Sequence, residues 1–256
     1  MSHARYHTAL SLRQRLRAWC QVSPGKPLWE AERAELDTLL PDLFGYHVLQ
    51  VGCLGVEDLL TTSRVLHRMV LDQEAVPVPD GISFIHGRAD ALPIASDSLD
   101  VLVLPHTLEF EHDPHQVLRE MERTLIPEGH IVIVGFNPRS LWGLWRLLFA
   151  RFGGAPWRGR FFSPARVKDW LALLGFDTVL TRLFFYRPPL RHEGIMHRLH
   201  FMETLGARWW PILGGAYVLV AKKRVVTLTP IKPRWRPRRS VVTTGLAEPT
   251  RRCHGG

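Results

Sequence analysis

The sequence predicts a doubly wound α/β fold, built on a mostly parallel sheet of seven strands. Two nearly unbroken apolar runs, at residues 101–104 and 131–134, are typical of strands buried on both faces of such a sheet. Between them, Asp113 and Pro114 start a helix, because Asp caps a helix and Pro fits its first position. The apolar residues that follow fall on one helical face. Strand, helix and strand in this order form the repeating unit of doubly wound folds.

The other elements follow from the same periodicities. Before the first strand, residues 3–21 and 28–40 each carry an apolar stripe at helical spacing. The further strands are predicted at residues 46–51, 69–72, 82–85, 176–182 and 216–221, and the further helices at 57–67, 139–149 and 165–174. A helical cover is expected at residues 186–211. The last two strands therefore form an antiparallel hairpin at one end of the sheet.

Three parts are expected along the 256 residues. Residues 1–45 form an N-terminal helical extension. Residues 46–224 form the α/β domain, which two insertions interrupt at residues 139–162 and 186–211. In residues 225–256, Pro, Arg and Lys dominate and little can be buried, so this basic tail is predicted to be disordered.

The formal net charge of +9 comes from 33 basic and 24 acidic residues. From Lys222 onward the chain carries ten Lys and Arg residues and one acid, Glu248, so residues 1–221 are formally neutral. A basic segment of this kind binds RNA, DNA or anionic lipid through phosphates, or it simply remains solvated. Nucleic acid or an anionic surface is therefore the partner predicted for the tail.

The three cysteines predict a reduced environment. Cys20, Cys53 and Cys253 are widely separated and make neither a disulfide framework nor a zinc pattern. Residues 1–10 lack the apolar core of a secretion signal, and no run of 18 apolar residues occurs. The expected protein is cytoplasmic and has no membrane span.

Residues 82–135 also carry an ordered set of motifs. The matching residues are Asp90, Leu92-Pro93-Ile94, Asp97-Ser98-Leu99-Asp100, His106, Leu108-Glu109, Asp113-Pro114, Leu118-Arg119-Glu120, Leu125, Pro127 and Gly129. In this order they resemble the second half of class I S-adenosylmethionine (SAM)-dependent methyltransferases of the type 11 group. The resemblance implies a Rossmann-like methyltransferase fold, SAM as cofactor and transfer of a methyl group.

The first half of the predicted cofactor site departs from that resemblance. The family reads roughly VLDVGCGTG after its first strand, where glycines let the backbone approach the cofactor. Here Gly52 and Cys53 fit, whereas Gln50 replaces the acid, and Leu54 and Val56 replace the second and third glycines. Either Gln50, Gly52 and Cys53 still bind SAM, or the site has changed and the domain binds something else.

Two acids follow later strands at positions where the family binds its cofactor. Asp72 lies 20 residues after Gly52, at the predicted carboxyl end of the second strand, where an acid accepts both ribose hydroxyls. Asp90, with the Ala91 amide nearby, is placed by the resemblance beside the adenine. The alternative for both acids is an ordinary solvent-facing aspartate.

His106 follows the fourth strand, at the sheet edge where ligands bind in such folds. It is a weak candidate for a general base, because imidazole titrates near neutrality. The resemblance instead implies a wall of the SAM pocket. Nearby acids and histidines have no recognised ligand spacing, so no metal site is predicted among Glu109, Glu111, His112 and His115.

The insertion at residues 139–162 combines three Trp and five Arg residues up to Arg160. It is predicted to border the acceptor pocket, with Trp142 and Arg146 contacting an amphipathic or anionic acceptor. The alternative is a helix packed over the sheet, with Arg stems along apolar surface.

Two functions are therefore expected from the sequence. The first is a SAM-dependent methyltransferase acting on a small-molecule or lipid-like acceptor that the residues do not identify. The second is a catalytically inactive methyltransferase-fold protein that binds nucleic acid or a protein partner through its basic tail. Residues at the cofactor site discriminate between them, because the first function requires SAM to bind there.

Overall fold

The computed structural model describes residues 12–54, 59–149, 156–190, 193–199 and 201–225. Its sheet contains seven strands in the order β3-β2-β1-β4-β5-β7-β6. Strands β1 to β5 are parallel, and β7 runs antiparallel to both β5 and β6. The predicted fold class, a doubly wound and mostly parallel sheet, is confirmed. The predicted tail, 225–256, lies outside the described residues except for its first residue.

The strands follow the apolar runs of the sequence. They are β1 (His47–Val51), β2 (His67–Asp72), β3 (Ile82–His86), β4 (Leu99–Pro105), β5 (Leu125–Phe136), β6 (Phe176–Phe184) and β7 (Ala216–Lys223). The chain passes from β3 back to β4 beside β1, so the order of strands reverses between β1 and β4. In open α/β sheets, ligands bind at this point, outside the carboxyl ends of the strands.

Eight helices are described, the first as residues 12–20 (α1). The others are α2 (Gly25–Leu39), α3 (Thr107–Phe110), α4 (Pro114–Thr124), α5 (Leu141–Phe149), α6 (Pro164–Leu173), α7 (Glu193–Arg198) and α8 (Phe201–Trp209). Asp113 caps α4 by accepting from the backbone amides of His115 and Gln116. In the described part of the chain, no helix has both the length and the apolar character needed to cross a membrane.

The central strands are buried on both faces, which explains their unbroken apolar runs. Leu102 and Leu104 of β4 point into one core, together with residues of α4 and α6. Val101 and Val103 point into the opposite core, together with residues of α2 and α5. The alternation along β4 thus divides the helices between two layers around the sheet.

The prediction of a helix at residues 57–67 is wrong for the part that the structure describes. Residues 59–62 form a turn, residues 63–66 have no regular secondary structure, and His67 already belongs to β2. Leu59 and Leu60 are buried in the same core as Leu36 of α2 and Leu40, which follows that helix. Because α2 already covers this face of the sheet, the short connection has to fill only the space beside it.

Trp142 lies in the core, which contradicts its predicted contact with an acceptor. Its side chain is 1% exposed and packs against Trp19, Phe136 and Phe185. The indole nitrogen donates to the carbonyl of Arg187 at 2.8 Å. The buried ring and its satisfied hydrogen-bond donor hold α5 against the core, so the side chain of Trp142 is not available to contact an acceptor.

Candidate functional site

The turn after β1 is held by Gln50. Its buried side chain donates from Nε2 to the Gly52 carbonyl at 2.9 Å and accepts from the Leu59 amide at 3.2 Å. Gly52 has φ 92°, a left-handed conformation that favours glycine. A neutral amide can donate and accept at once, whereas a carboxylate only accepts. Gln50 therefore braces the turn in a way that the family's acid cannot.

Asp72 lies at the end of β2 beside this turn and is 2% exposed. Its Oδ2 accepts from the Cys53 amide at 2.9 Å, and its Oδ1 accepts from the Glu74 amide at 3.2 Å. The alternative of an ordinary exposed aspartate does not describe it. The carboxylate faces the same turn that Gln50 braces, at the point where the strand order reverses.

Two arginines of α1 reach this edge of the sheet. Arg17 donates from Nη2 to Asp72 Oδ2 at 3.2 Å and from Nε to the Cys53 carbonyl at 3.1 Å. Arg13 forms an ion pair with Glu111 at 3.0 Å. A Cβ placed on Gly52 would lie 3.7 Å from a guanidinium nitrogen of Arg13. The helix α1 therefore covers the turn after β1 with two cations.

Asp90 follows β3 and is half-buried. Both of its carboxylate oxygens accept from Arg88, at 2.8 Å from Nε and 2.5 Å from Nη2. Arg88 and Ala91 also form an isolated β-bridge, which shapes this loop, and Ala91 is exposed. Such a two-point pair holds the carboxylate in a defined orientation.

The pKa of Glu111 depends on the charges of these groups. Burial raises the pKa of Glu111, the charge of Arg13 lowers it, and the charges of Asp90 and Asp72 raise it. Asp72 and Asp90 are therefore among the charges that act on the carboxyl group of Glu111. The ion pairs of this edge join Arg13 to Glu111, Arg17 to Asp72 and Glu74, and Arg88 to Asp90.

His106 lies deeper, between two carboxylates, and is 2% exposed. Its Nε2 lies 2.7 Å from Glu32 of α2, and its Nδ1 lies 3.2 Å from Glu109 of α3. Glu109 also accepts from the Phe136 amide at 2.8 Å. The residue adopts φ 48°, a conformation uncommon for a non-glycine residue, at the end of β4. The imidazole thus links α2 to the sheet.

This environment keeps His106 protonated. Burial alone lowers the pKa of His106, but the charge of Glu32 and the hydrogen bonds of Glu109 and Glu32 outweigh it and raise the pKa to about 10. A group with this pKa holds its proton at neutral pH and cannot accept another. The geometry assigns His106 a positioning role between the two carboxylates, and general-base chemistry would require a rearranged site.

The two acids that follow β4 in the predicted motif, Glu109 and Glu111, each have a partner. Glu109 binds His106, and Glu111 binds Arg13. Within the ranges that the structure describes, no three His, Cys, Asp or Glu residues come together in a way that could hold a metal ion.

The structure brings together most of the residues that the sequence singled out. Gln50, Gly52, Cys53 and Asp72 meet at the turn after β1, whereas Asp90 pairs with Arg88 in the loop after β3. His106 lies behind this group. Leu54 is buried, whereas Val56 lies outside the described residues. Arg13, Arg17 and Glu32 also reach this region and were not predicted, because helical spacing does not reveal which distant acids or bases these side chains meet.

Comparisons with known proteins bear on the family of the chain. A family profile described as a methyltransferase domain matches residues 58–133. The uncharacterized protein YafS of Escherichia coli (strain K12) is 33% identical over 211 residues, 82% of each chain. The phthiotriol/phenolphthiotriol dimycocerosates methyltransferase of Mycobacterium leprae is 29% identical over 124 residues. These residues are 43% of this chain and 44% of that enzyme.

A solved structure shows the same fold. The S-adenosylmethionine-dependent methyltransferase of Mesorhizobium loti superposes with a TM-score of 0.54 at 18% identity, covering 75% of this chain and 98% of that one. The strand order, the matched profile and the extended similarity to YafS agree with one another. The chain belongs to the class I SAM-dependent methyltransferases of the type 11 group.

Proposed function

We propose that the protein transfers a methyl group from SAM to an amphipathic or anionic acceptor. The observation that carries the proposal is the acidic edge of the sheet, which α1 covers with two arginine cations. If Arg13 and Arg17 moved away, Arg88 would be the one arginine left in the ion pairs of this edge. The acids that these pairs contain are Asp72, Glu74, Asp90 and Glu111. Such a site favours a cationic ligand, and SAM carries a sulfonium and an ammonium group. When bound, SAM supplies an electrophilic methyl group.

The residues at this edge have the backbone shape and the hydrogen-bonding groups that SAM requires. The turn at Gly52 leaves its backbone free of side-chain bulk, and Asp72 has the acceptor character that ribose hydroxyls require. Asp90 and the Ala91 amide would hold the adenine. His106 supports the wall behind them through Glu32 and Glu109. These residues bind and orient, so no nucleophilic side chain is needed.

Binding of SAM requires Arg17 to leave Asp72. Each carboxylate oxygen has about two acceptor positions, and Asp72 Oδ2 already accepts from Cys53 and Arg17. The substitution Arg17→Gln should therefore raise SAM affinity by about two- to tenfold, as expected for loss of a partly exposed ion pair. Isothermal titration calorimetry measures the change.

The matched control is Arg15→Gln, which removes the same charge from an exposed position of α1. It should leave SAM affinity unchanged. Weaker binding by Arg17→Gln would mean that Arg17 remains in the site and contacts the cofactor, and an unchanged affinity would mean that it does not compete.

The acceptor class is supported by the surroundings of the insertion and by a relative. Arg146 donates to the Gly159 carbonyl at 2.7 Å and lies over the Phe161 ring, so basic and apolar groups adjoin there. The similar Mycobacterium leprae enzyme is named a phthiotriol/phenolphthiotriol dimycocerosates methyltransferase. An acceptor with an apolar body and a polar end suits both observations.

The first test is titration of the full chain with SAM and with its demethylated product. Cell extracts are then incubated with methyl-labelled SAM and protein, and the lipid, protein and RNA fractions are separated. We expect binding of both cofactor forms and label in a lipid fraction. Label confined to protein or RNA would overturn the acceptor class, and absence of SAM binding would overturn the activity.

A second candidate function has one observation in its favour. The ion pairs of Arg13 and Arg17 neutralise Glu111 and Asp72 in this structure, as expected of a methyltransferase fold that has lost its cofactor. Such a protein would act through its basic tail on nucleic acid or a protein partner. It would not bind SAM even after Arg17→Gln, which separates the two functions.

A further inference from the structure

Helix α5 carries an apolar stripe that is exposed on the surface of the protein. Leu144, Leu147 and Leu148 are 54%, 76% and 61% exposed, although Trp142 on the same helix is buried. Leu141 begins the stripe and is also exposed. A helix of a globular protein normally buries its apolar residues, so four exposed leucines within eight residues indicate a surface that another apolar phase covers.

Helix α8 and the turn after it present a second stripe. Phe201, Leu205 and Trp209 recur at a spacing of four residues and are exposed. Trp210, Ile212 and Leu213 extend the stripe and are exposed as well. Gly206 fixes the helix against the body, because a Cβ at this position would collide with the Tyr186 ring. The outward face of α8 is therefore defined by tight packing on its inner side.

The two stripes border one groove. It has a volume of about 510 Å³ and is lined by Leu141 of α5, by Phe201 and Leu205 of α8, and by Trp210 and Leu213. In the described ranges, ten of the seventeen exposed large apolar side chains belong to α5, α8 and the turn. We name these two helices and residues 210–213 the apolar face.

The charges around the apolar face are basic. Arg139 precedes α5, Arg198 ends α7 and Arg208 lies beside Trp209; all three are exposed and have no ion pair with another described residue. The sequence of α5 contains no acid, and the single acid of α8, Glu203, binds Arg187 at 2.9 Å. Unpaired arginines beside exposed leucines and tryptophans complement anionic headgroups above an apolar layer.

We propose that the apolar face docks onto the surface of an anionic lipid bilayer. The leucines and Phe201 enter the boundary between headgroups and acyl chains, and Arg139 and Arg208 contact lipid phosphates. Trp209 and Trp210 lie at the depth where amphipathic rings prefer to be. The groove then opens towards the bilayer. Docking does not depend on the proposed methyl transfer, because it requires neither SAM nor an acceptor.

The chemistry of the face favours lipid over a protein partner. A specific protein interface combines apolar side chains with hydrogen-bonding groups at fixed positions. Here the exposed groups between Leu141 and Leu148 are aliphatic, and the arginines at the margin, Arg139, Arg198 and Arg208, are exposed, whereas Glu203 is paired with Arg187. A fluid surface with mobile phosphates satisfies such a face without matched partners.

The test is flotation of the full chain with vesicles of equal parts phosphatidylcholine and phosphatidylglycerol. The variant Leu147→Ser/Leu148→Ser/Trp209→Ser should reduce the partition coefficient by at least about tenfold, because three apolar side chains no longer enter the bilayer. The matched control is Leu173→Ser/Val179→Ser, which alters residues that are 85% and 62% exposed outside the apolar face. It should bind as the parent protein does.

The basic tail is present in every variant and also attracts anionic lipid, so a second measurement reports on the face itself. Vesicles brominated in their acyl chains quench tryptophans that reach the boundary. Quenching should occur in the parent and fall strongly in Trp209→Phe/Trp210→Phe, which retains binding. Equal flotation of the serine variant and the parent, or absence of quenching in the parent, would overturn the proposal.

Discussion

The substitution Glu32→Ala should lower the free energy of unfolding by about 3–5 kcal/mol, the usual cost of removing one partner from a buried ion pair. Glu32 is 1% exposed on α2 and lies 2.7 Å from Nε2 of His106. Without Glu32, the imidazole either stays charged beside Glu109 alone or loses its proton. Both outcomes leave a polar group unsatisfied in the core.

Urea denaturation measures this loss, and Glu30→Ala is the matched control. Glu30 lies on the same helix and is exposed, so its replacement by Ala should change the stability by less than about 0.5 kcal/mol. If Glu32→Ala and Glu30→Ala lost equal stability, the bond between α2 and His106 would contribute nothing measurable.

The pair of Glu32 and His106 makes the free energy of unfolding depend on pH. The pKa of His106 is raised from 6.5 to about 10, so between these values the native state binds more protons than the unfolded state. The free energy of unfolding then falls as pH rises through this window, and the contribution is fully present only below pH 6.5. Glu32 and Glu109 face the imidazole, and the neighbouring Tyr217 has a pKa raised by burial and by Glu109.

Glu32→Gln isolates this dependence, because the amide keeps the shape of the side chain and still accepts a hydrogen bond. The stability advantage of the parent over Glu32→Gln should be largest below pH 6.5 and should shrink towards pH 10. Parallel curves over this range would show that His106 is neutral in the native protein.

Asp72→Asn should weaken SAM binding by about 1–3 kcal/mol, or about 5- to 150-fold, because an amide supplies fewer acceptor positions to the ribose hydroxyls. The carboxylate is buried and already oriented by the amides of Cys53 and Glu74. Calorimetric titration with SAM measures the change, and a thermal transition establishes that the variant is folded.

Asp80→Asn is the control. This substitution removes the same charge from an exposed position after β2. Arg17→Gln in the Asp72→Asn background should add little, since Arg17 competes only for the carboxylate. A folded Asp72→Asn protein with the affinity of the parent would contradict the assignment of Asp72 to the ribose.

Local patterns in the sequence determined the architecture. The apolar runs at residues 101–104 and 131–134, and the cap at Asp113, located β4, β5 and α4 correctly. Such patterns succeed because a strand buried on both faces permits few polar residues, and a helix start needs a capping group. The same reasoning failed at residues 59–66, where α2 already covers the sheet and no helix is required.

Candidate site residues were predictable where they end a strand or lie in the loop directly after one, because parallel strands bring their carboxyl ends to one edge. Asp72 and Asp90 are of this kind. Their partners were not predictable: Arg17 is separated from Asp72 by 55 residues, and Glu32 from His106 by 74.

Helical spacing marks which side of a helix is apolar, but it does not state which acid an arginine on that helix will meet. The pairs Arg17–Asp72 and Glu32–His106 were decided by tertiary packing. Helix α1 packs over the turn at Gly52, and α2 packs against the sheet beside β4. Packing likewise placed Trp142 inside and Leu147 outside on one helix that is apolar almost all round. The sequence of this protein thus determined its sheet and its edge of acids, while tertiary contacts decided which charges neutralise them and which apolar residues remain at the surface.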